Sequence, residues 1–313
     1  MRANQSVATS LFTEDILVQQ TTADYLHEQL GWRSVYAFHE DFGPDSLLGR
    51  ASDREVVLTR ILRAKLVELN PGLPAAAYDD AVYQLAGVTA AQSLLAANRE
   101  KYALLRDGVS VAFRNARGEL ERRRLRVIDF DQPDANDFLC VRELWVQGDL
   151  YRRRADIVGF VNGLPLLFME LKNVSKEIRA AYEQNYRDYL DTIPHLFHHN
   201  AVVVLANGID ARLGSLTSRF EHFHQWKRLA EGEPGAVDME TLLKGVCARA
   251  NFLDLVENFI LFDDSAGQPR KILARNHQFL GVNRALQSVA QRRQRQGKLG
   301  VFWHTQGAGK SYS

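Results

Sequence analysis

Three ionisable residues interrupt an otherwise greasy stretch of the sequence. Asp156 opens it, and Glu170 and Lys172 close it, with Ile157-Val158-Gly159-Phe160-Val161 and Leu164-Pro165-Leu166-Leu167-Phe168-Met169 between them. Charges are rarely found in so apolar a setting without a partner or a metal. Two carboxylates beside one ammonium suit a hard divalent cation such as Mg²⁺. An ion held there would polarise a phosphodiester and lower the pKa of a bound water, while the amine orients that water or stabilises developing charge. The plainer alternative is a polar strand end, with Asp156 capping a loop.

The elements that must position these groups are legible around Asn162-Gly163. This dipeptide between β-branched and aromatic runs is a strong hairpin signal, so two adjacent antiparallel strands are expected. Alternation puts Glu170 and Lys172 on one face and Leu171 on the other. A strict two-residue turn, however, pairs odd with even positions and sends Asp156 and Glu170 to opposite faces. Shared chemistry therefore requires a three-residue loop or a bulge, with Gly163 or Gly159 as the expected extra residue.

Composition narrows the class. The 313 residues carry a net charge of +1, 46% hydrophobic and 25% charged residues, as in an ordinary globular protein long enough for two domains. A polyanion-binding surface must then be local rather than global. Two cysteines, Cys140 and Cys247, stand far apart, which argues against a disulfide scaffold or a zinc module and fits a reducing cytoplasm. No apolar run reaches membrane-spanning length and no secretory signal is evident at the N-terminus, so no membrane partner is expected.

In chain order, a helix is expected from Thr13 to about Gly31, others over 53–69, 75–85 and 92–105, and strands over 109–113, 125–130 and 138–146. Arg122-Arg123-Arg124, with Arg126, reads as a solvated basic turn or a phosphate contact. Arg152-Arg153-Arg154 leads directly into Asp156, and guanidinium forks match phosphate oxygens, so these three are candidate DNA contacts; salt bridges to nearby acids are the alternative. A helix is expected over 176–190, a buried strand over 201–205, a sheet edge near 212–217, a loop at Glu231–Gly235 and two helices over 241–248 and 251–259. His195, His198 and His199, around Pro194, have no ligand-like spacing and are expected to face solvent or cap backbone.

Arg153-Arg154-Ala155-Asp156-Ile157-Val158, Val161-Asn162-Gly163-Leu164-Pro165 and Glu170-Leu171-Lys172-Asn173 resemble the PD-(D/E)xK nuclease region of the restriction (R, motor) subunit of type I restriction-modification enzymes. Asn70-Pro71-Gly72-Leu73-Pro74, Ile128–Phe138 and Arg212–Thr217 extend the resemblance over nearly the whole chain. It implies an α/β fold, a mixed sheet flanked by helices. It also implies a Mg²⁺-dependent endonuclease acting on double-stranded DNA, with Asp156, Glu170 and the Leu171 carbonyl as metal ligands and Lys172 assisting the attacking water. Glu14, on the first helix, is a further candidate ligand, against an ordinary first-turn acid. The Q-x-x-x-Y element of related nucleases falls near Gln184, Asn185 and Tyr189, with Gln184 one residue out of register.

The tail suggests a second unit. A basic helix through Gln296 and a short strand precede His304-Thr305-Gln306-Gly307-Ala308-Gly309-Lys310-Ser311. Glycines let backbone N–H groups approach phosphates, lysine reaches their charge and serine holds Mg²⁺. This resembles motif I of superfamily 2 motors, with Gly307, Gly309, Lys310 and Ser311 as nucleotide-binding residues and Gln278 in the place of an adenine-reading glutamine. The expected division is a nuclease domain over 1–260 and the start of a RecA-like, ATP-binding motor over 261–313. Ending at Ser313, the sequence has no room for the rest of a motor and is expected to be a fragment or the product of a truncated gene. The resemblance implies methyltransferase (M) and specificity (S) subunits as partners and ATP-driven DNA translocation in a complete subunit. Two other functions compete: a docking module that cuts nothing, and a stand-alone nucleotide-binding protein.

Overall fold

The computed structural model describes residues 3–87, 92–265 and 267–301, apart from the side chains of residues 3–15. A six-stranded mixed sheet in the order β1-β4-β5-β6-β7-β8 forms its centre. The strands are β1 (Arg33–Tyr36), β4 (Phe138–Gln147), β5 (Arg152–Val161), β6 (Leu164–Leu171), β7 (Val202–Ala206) and β8 (Ala211–Gly214). β4, β5 and β6 are antiparallel neighbours, whereas β1–β4 and β6–β7 pair in parallel. Every residue of β6 and β7 is buried, the signature of strands covered on both faces.

Helices supply that cover. They are α1 (Ala3–Glu28), α2 (Thr59–Leu69), α3 (Ala75–Ala86), α4 (Leu94–Asp107), the short α5 (Ile178–Ala180), α6 (Arg187–Thr192), α7 (Met239–Leu242), α8 (Arg249–Asn258) and α9 (Asn276–Ala290). Two small antiparallel ribbons stand apart from the main sheet: β2 (Val109–Arg114) with β3 (Leu120–Leu125), and β9 (Ile260–Asp263) with β10 (Arg270–Leu273).

Several boundaries depart from the sequence expectation. α2 begins at Thr59 rather than Asp53, because the preceding residues are committed to the sheet: Gln147 N donates to Asp53 O, and Leu58 N donates to the Gly163 carbonyl at the hairpin tip. The arginines at 122–124 lie in β3, not in a turn, and the strand expected over 125–130 is instead this earlier one. α9 stops at Ala290, short of Gln296. Arg292, Arg293 and Arg295 follow within one turn of each other, and like charges at helical spacing oppose propagation. α1 reaches further toward the N-terminus than Thr13, and Gly31, at φ 71°, closes its C-terminal end as expected.

Candidate active site

The hairpin is built by Asn162 and Gly163, both in the left-handed region at φ 52° and 81°, as a two-residue type I′ turn requires. Asn162 tolerates this because its side chain is fully used. Its Oδ1 accepts from Asp137 N (2.8 Å), and its Nδ2 donates to Val127 O and to Asn136 Oδ1 (both 2.9 Å). Gly163 has no alternative: a Cβ would lie 2.6 Å from Leu58 O.

The register then shifts. Val161 pairs with Leu164 and Phe160 with Pro165, but Gly159 pairs with Leu167, Val158 with Phe168 and Ile157 with Met169. The bulge expected from the chemistry is present, and a three-residue loop is not. The extra residue is Leu166, on the strand opposite Gly159, rather than Gly159 or Gly163. Gly159 has no room for a side chain, since a Cβ there would meet both Leu167 and Trp32 at 2.9 Å. Continued by one residue, the shifted register sets Asp156 beside Glu170 on one face.

Their contacts confirm the convergence. Asp156 Oδ2 accepts from the Leu171 N–H (2.8 Å), and its Oδ1 accepts from Gln19 Nε2 of α1 (2.9 Å). Lys172 Nζ lies 2.9 Å from Glu170 Oε1. Glu170 Oε2 is buried and has no hydrogen-bond partner. The Lys172 N–H donates to Ala206 O at the end of β7, which fixes where the ammonium emerges.

Burial dominates the electrostatics. It pushes Asp156 up to about 7, an effect that the Leu171 N–H and Lys172 oppose and that Glu143 reinforces. Glu170 is raised well above the ordinary carboxylate range, by burial first and by the neighbouring Asp156 second. Such a pair is stable either with a shared proton or with a cation between the two groups. Among the described residues, no three His, Cys, Asp or Glu side chains are arranged to hold a metal. A cation here would therefore have two carboxylates, with backbone and water completing its shell. That donor set is one Mg²⁺ accepts, and the orphaned Glu170 Oε2 is the atom such an ion would satisfy.

Two buried residues at this site were missed in the sequence. Glu143 stands on β4 between Arg142, which pairs with Ile157, and Leu144, which pairs with Ala155, so it lies beside Asp156 on the other flank. Its backbone is left-handed at φ 58°, unusual for a strand glutamate, and strain of this kind concentrates at functional positions. Burial raises its carboxyl pKa, while Arg154 and Gln19 oppose the rise. Gln19 is the other. No local pattern marks it, because its role depends on where a helix some 137 residues away docks.

The remaining candidates divide. Tyr189 OH donates to Arg154 O (2.9 Å), bracing β5 two residues before Asp156, and Asn185 is half-buried on the same segment. Gln184 is exposed. A π-helical segment, Ala181–Tyr186, interrupts the helix here and accompanies the altered register of the motif. Arg152, Arg153 and Arg154 are each taken up by a carboxylate, on Asp53, Asp188 and Glu143, as the salt-bridge alternative anticipated. Gln278 Oε1 accepts from Arg275 N, capping α9. The Glu14 side chain and Gly307, Gly309, Lys310 and Ser311 lie outside the described residues.

Of the two placements expected for the histidines, solvent exposure fails for His198 and His199, which are buried and pushed down to about 4 and about 3, while backbone capping holds for His199, whose Nε2 lies 2.9 Å from Leu85 O in the last turn of α3.

A mixed sheet flanked by helices, whose central hairpin brings an aspartate, a glutamate and a lysine together, is an α/β arrangement consistent with a nuclease-like domain, and comparison with known proteins gives its family. Residues 12–222 match the family model for the type I restriction enzyme R protein N terminus, and the chain belongs to that family. Residues 277–313 match the model for the SWI2/SNF2 ATPase. Among curated relatives, the type I restriction enzyme HindI endonuclease subunit of Haemophilus influenzae is 36% identical over 95% of this chain and 29% of its own length. The putative type I restriction enzyme MjaIXP endonuclease subunit of Methanocaldococcus jannaschii is 26% identical over 67% of this chain and 22% of its own. The chain thus spans under a third of either relative. No helix among the described residues is long and apolar enough to cross a membrane.

Proposed function

We propose that this chain carries the DNA-cutting centre of a type I restriction enzyme R subunit, a PD-(D/E)xK site that hydrolyses phosphodiesters of double-stranded DNA with Mg²⁺. The observation that carries this reading is the pairing of two buried carboxylates, one with an unpartnered oxygen, beside the Lys172 ammonium. Asp156, Glu170 and the Leu171 carbonyl would hold the ion. When bound, it would polarise the scissile phosphate and supply a water of lowered pKa.

The chain's own groups do the rest. Gln19 and the Leu171 N–H fix the Asp156 carboxylate by one bond to each oxygen, so its remaining lone pairs point in a defined direction. Lys172, held by Glu170, presents a proton donor where negative charge builds up during attack. Tyr189 keeps β5 in place behind Asp156.

In a complete subunit the same reading assigns residues 1–260 to the nuclease domain and 261–313 to the start of a RecA-like motor, with Gly307, Gly309, Lys310, Ser311 and Gln278 contributing to ATP binding. Methyltransferase and specificity subunits would be its partners, in the cytoplasm. The test is plasmid cleavage by the full chain with Mg²⁺, compared with Asp156→Ala. Nicking or linearisation lost in the variant supports the reading. No cleavage by either protein favours a docking module instead, and equal cleavage by both overturns the assignment of Asp156.

A further inference from the structure

The ribbon of β2 and β3 has no part in the site described above, yet it concentrates charge that the whole chain lacks. Six arginines stand against two glutamates between Val109 and Arg126, in a protein whose net charge is +1. The pairing sorts them. Val109, Val111 and Phe113 are buried against the body, whereas Ser110, Ala112 and Arg114 are exposed and face, in register, Arg124, Arg122 and Leu120.

The outer face therefore presents Arg114, Arg122 and Arg124 around two small residues. The acids nearby have other partners: Glu121 pairs with Arg123 and Asp129 with Arg126, and Asp107 pairs with Arg106 while also lying within electrostatic reach of Arg124. Arg114 and Arg124 are steadied by backbone carbonyls, on Gly118 (2.7 Å) and Asp107 (3.1 Å), which orient a guanidinium without neutralising it. Glu119, at the tip, is bonded by Asn115.

We propose that this ribbon is a docking surface for the phosphate backbone of duplex DNA, with Arg114, Arg122 and Arg124 as its phosphate-binding residues. Planar forks with several donors suit phosphate oxygens, a two-stranded ribbon is a form that duplex grooves admit, and small residues between the arginines let a backbone approach closely. The inference rests on the reading that the chain acts on DNA, but it concerns a different part of the molecule. The ribbon adjoins the Asn162-Gly163 end of the hairpin, where Asn162 bonds Val127 O just beyond β3. Asp156 lies six residues further along β5, roughly 20 Å away at about 3.4 Å per residue. A duplex gripped here is anchored to one side of the cutting face.

The experiment is equilibrium binding of a labelled duplex to the full chain in EDTA, so that nothing is cut, across a salt series. The triple variant Arg114→Ser, Arg122→Ser, Arg124→Ser should bind at least tenfold more weakly at low salt. Its plot of log affinity against log salt should be shallower by about 2 to 3, close to 0.9 for each phosphate no longer neutralised. The corresponding triple Arg→Lys variant keeps the charges and should retain most of the slope, which ties the effect to charge rather than to unfolding. Unchanged affinity and slope in a folded serine variant, or no duplex binding by the parent chain, overturns the proposal. If the parent chain binds through the ribbon but never cuts, the docking surface stands and the nuclease reading falls.

Discussion

Gln19 Nε2 donates to Asp156 Oδ1 at 2.9 Å, joining the first helix to the fifth strand across 137 residues of sequence. Because the Leu171 N–H holds the other oxygen, this one amide determines whether the carboxylate can rotate. Groups that orient a metal ligand typically matter 10–100-fold. Gln19→Leu should lower Mg²⁺-dependent cleavage about tenfold or more and raise the Mg²⁺ concentration needed for half-maximal rate. A titration of rate against Mg²⁺ checks this; an unchanged midpoint would show Gln19 to be packing only.

The buried carboxylates make stability depend on pH in a defined direction. Asp156 is raised from its ordinary value near 4 to about 7, and Glu170 is raised as well, so the folded state holds protons that the unfolded chain releases. This favourable contribution is complete below the unfolded pKa and is lost as pH climbs through the folded one. Without divalent cation, the melting temperature should fall between pH 5 and pH 8. Glu170→Gln removes the like-charge neighbour of Asp156 and should flatten that fall. Thermal melts in EDTA at both pH values decide it, and an equally steep fall in the variant contradicts the coupling.

The shift in register makes its own prediction. Gly159→Ala would drive a Cβ into Leu167 and Trp32, each at 2.9 Å, on the strand directly facing the extra residue Leu166. Overpacking of this kind costs about 1–3 kcal/mol. Chemical denaturation should show a loss in that range, and cleavage should fall further than stability alone explains, because the alignment of Asp156 with Glu170 depends on this bulge. A variant as stable and active as the parent would show that the bulge does not depend on Gly159.

Asn162→Ala should also be costly. It removes hydrogen bonds to Asp137, Val127 and Asn136 and leaves a side chain without the αL preference of asparagine at φ 52°. Several buried partners left unsatisfied, at about 1–3 kcal/mol each, place the expected loss at several kcal/mol. An Asn162→Gly variant, which keeps the backbone conformation accessible, should still be destabilised by the missing bonds; equal stability of the glycine variant and the parent would assign the whole role to the turn.

What the sequence made legible follows range. The hairpin and the shared face of Glu170 and Lys172 are local consequences of alternation and of Asn-Gly chemistry, whereas the turn keeps two residues and the three-residue loop offered as one alternative does not form. The need for a bulge followed from parity, but its location did not, because Leu166 is indistinguishable from its apolar neighbours. Glu143 and Gln19 escaped notice because each acts through docking across the fold, and the start of α2 moved because the residues before it are engaged by distant backbone. Arg152, Arg153 and Arg154 look like a phosphate grip in one dimension and are neutralised in three by acids from three separate segments.

The most direct test of the central claim is metal binding itself: a titration of the full chain with Mn²⁺, followed by electron paramagnetic resonance or calorimetry, against Glu170→Gln and Asp156→Ala. One ion bound per chain at pH 8, weakened at pH 5 where the carboxylates are protonated and lost in either variant, is the expected result. An ion bound equally well by both variants would place the divalent cation elsewhere and contradict the assignment of Asp156 and Glu170.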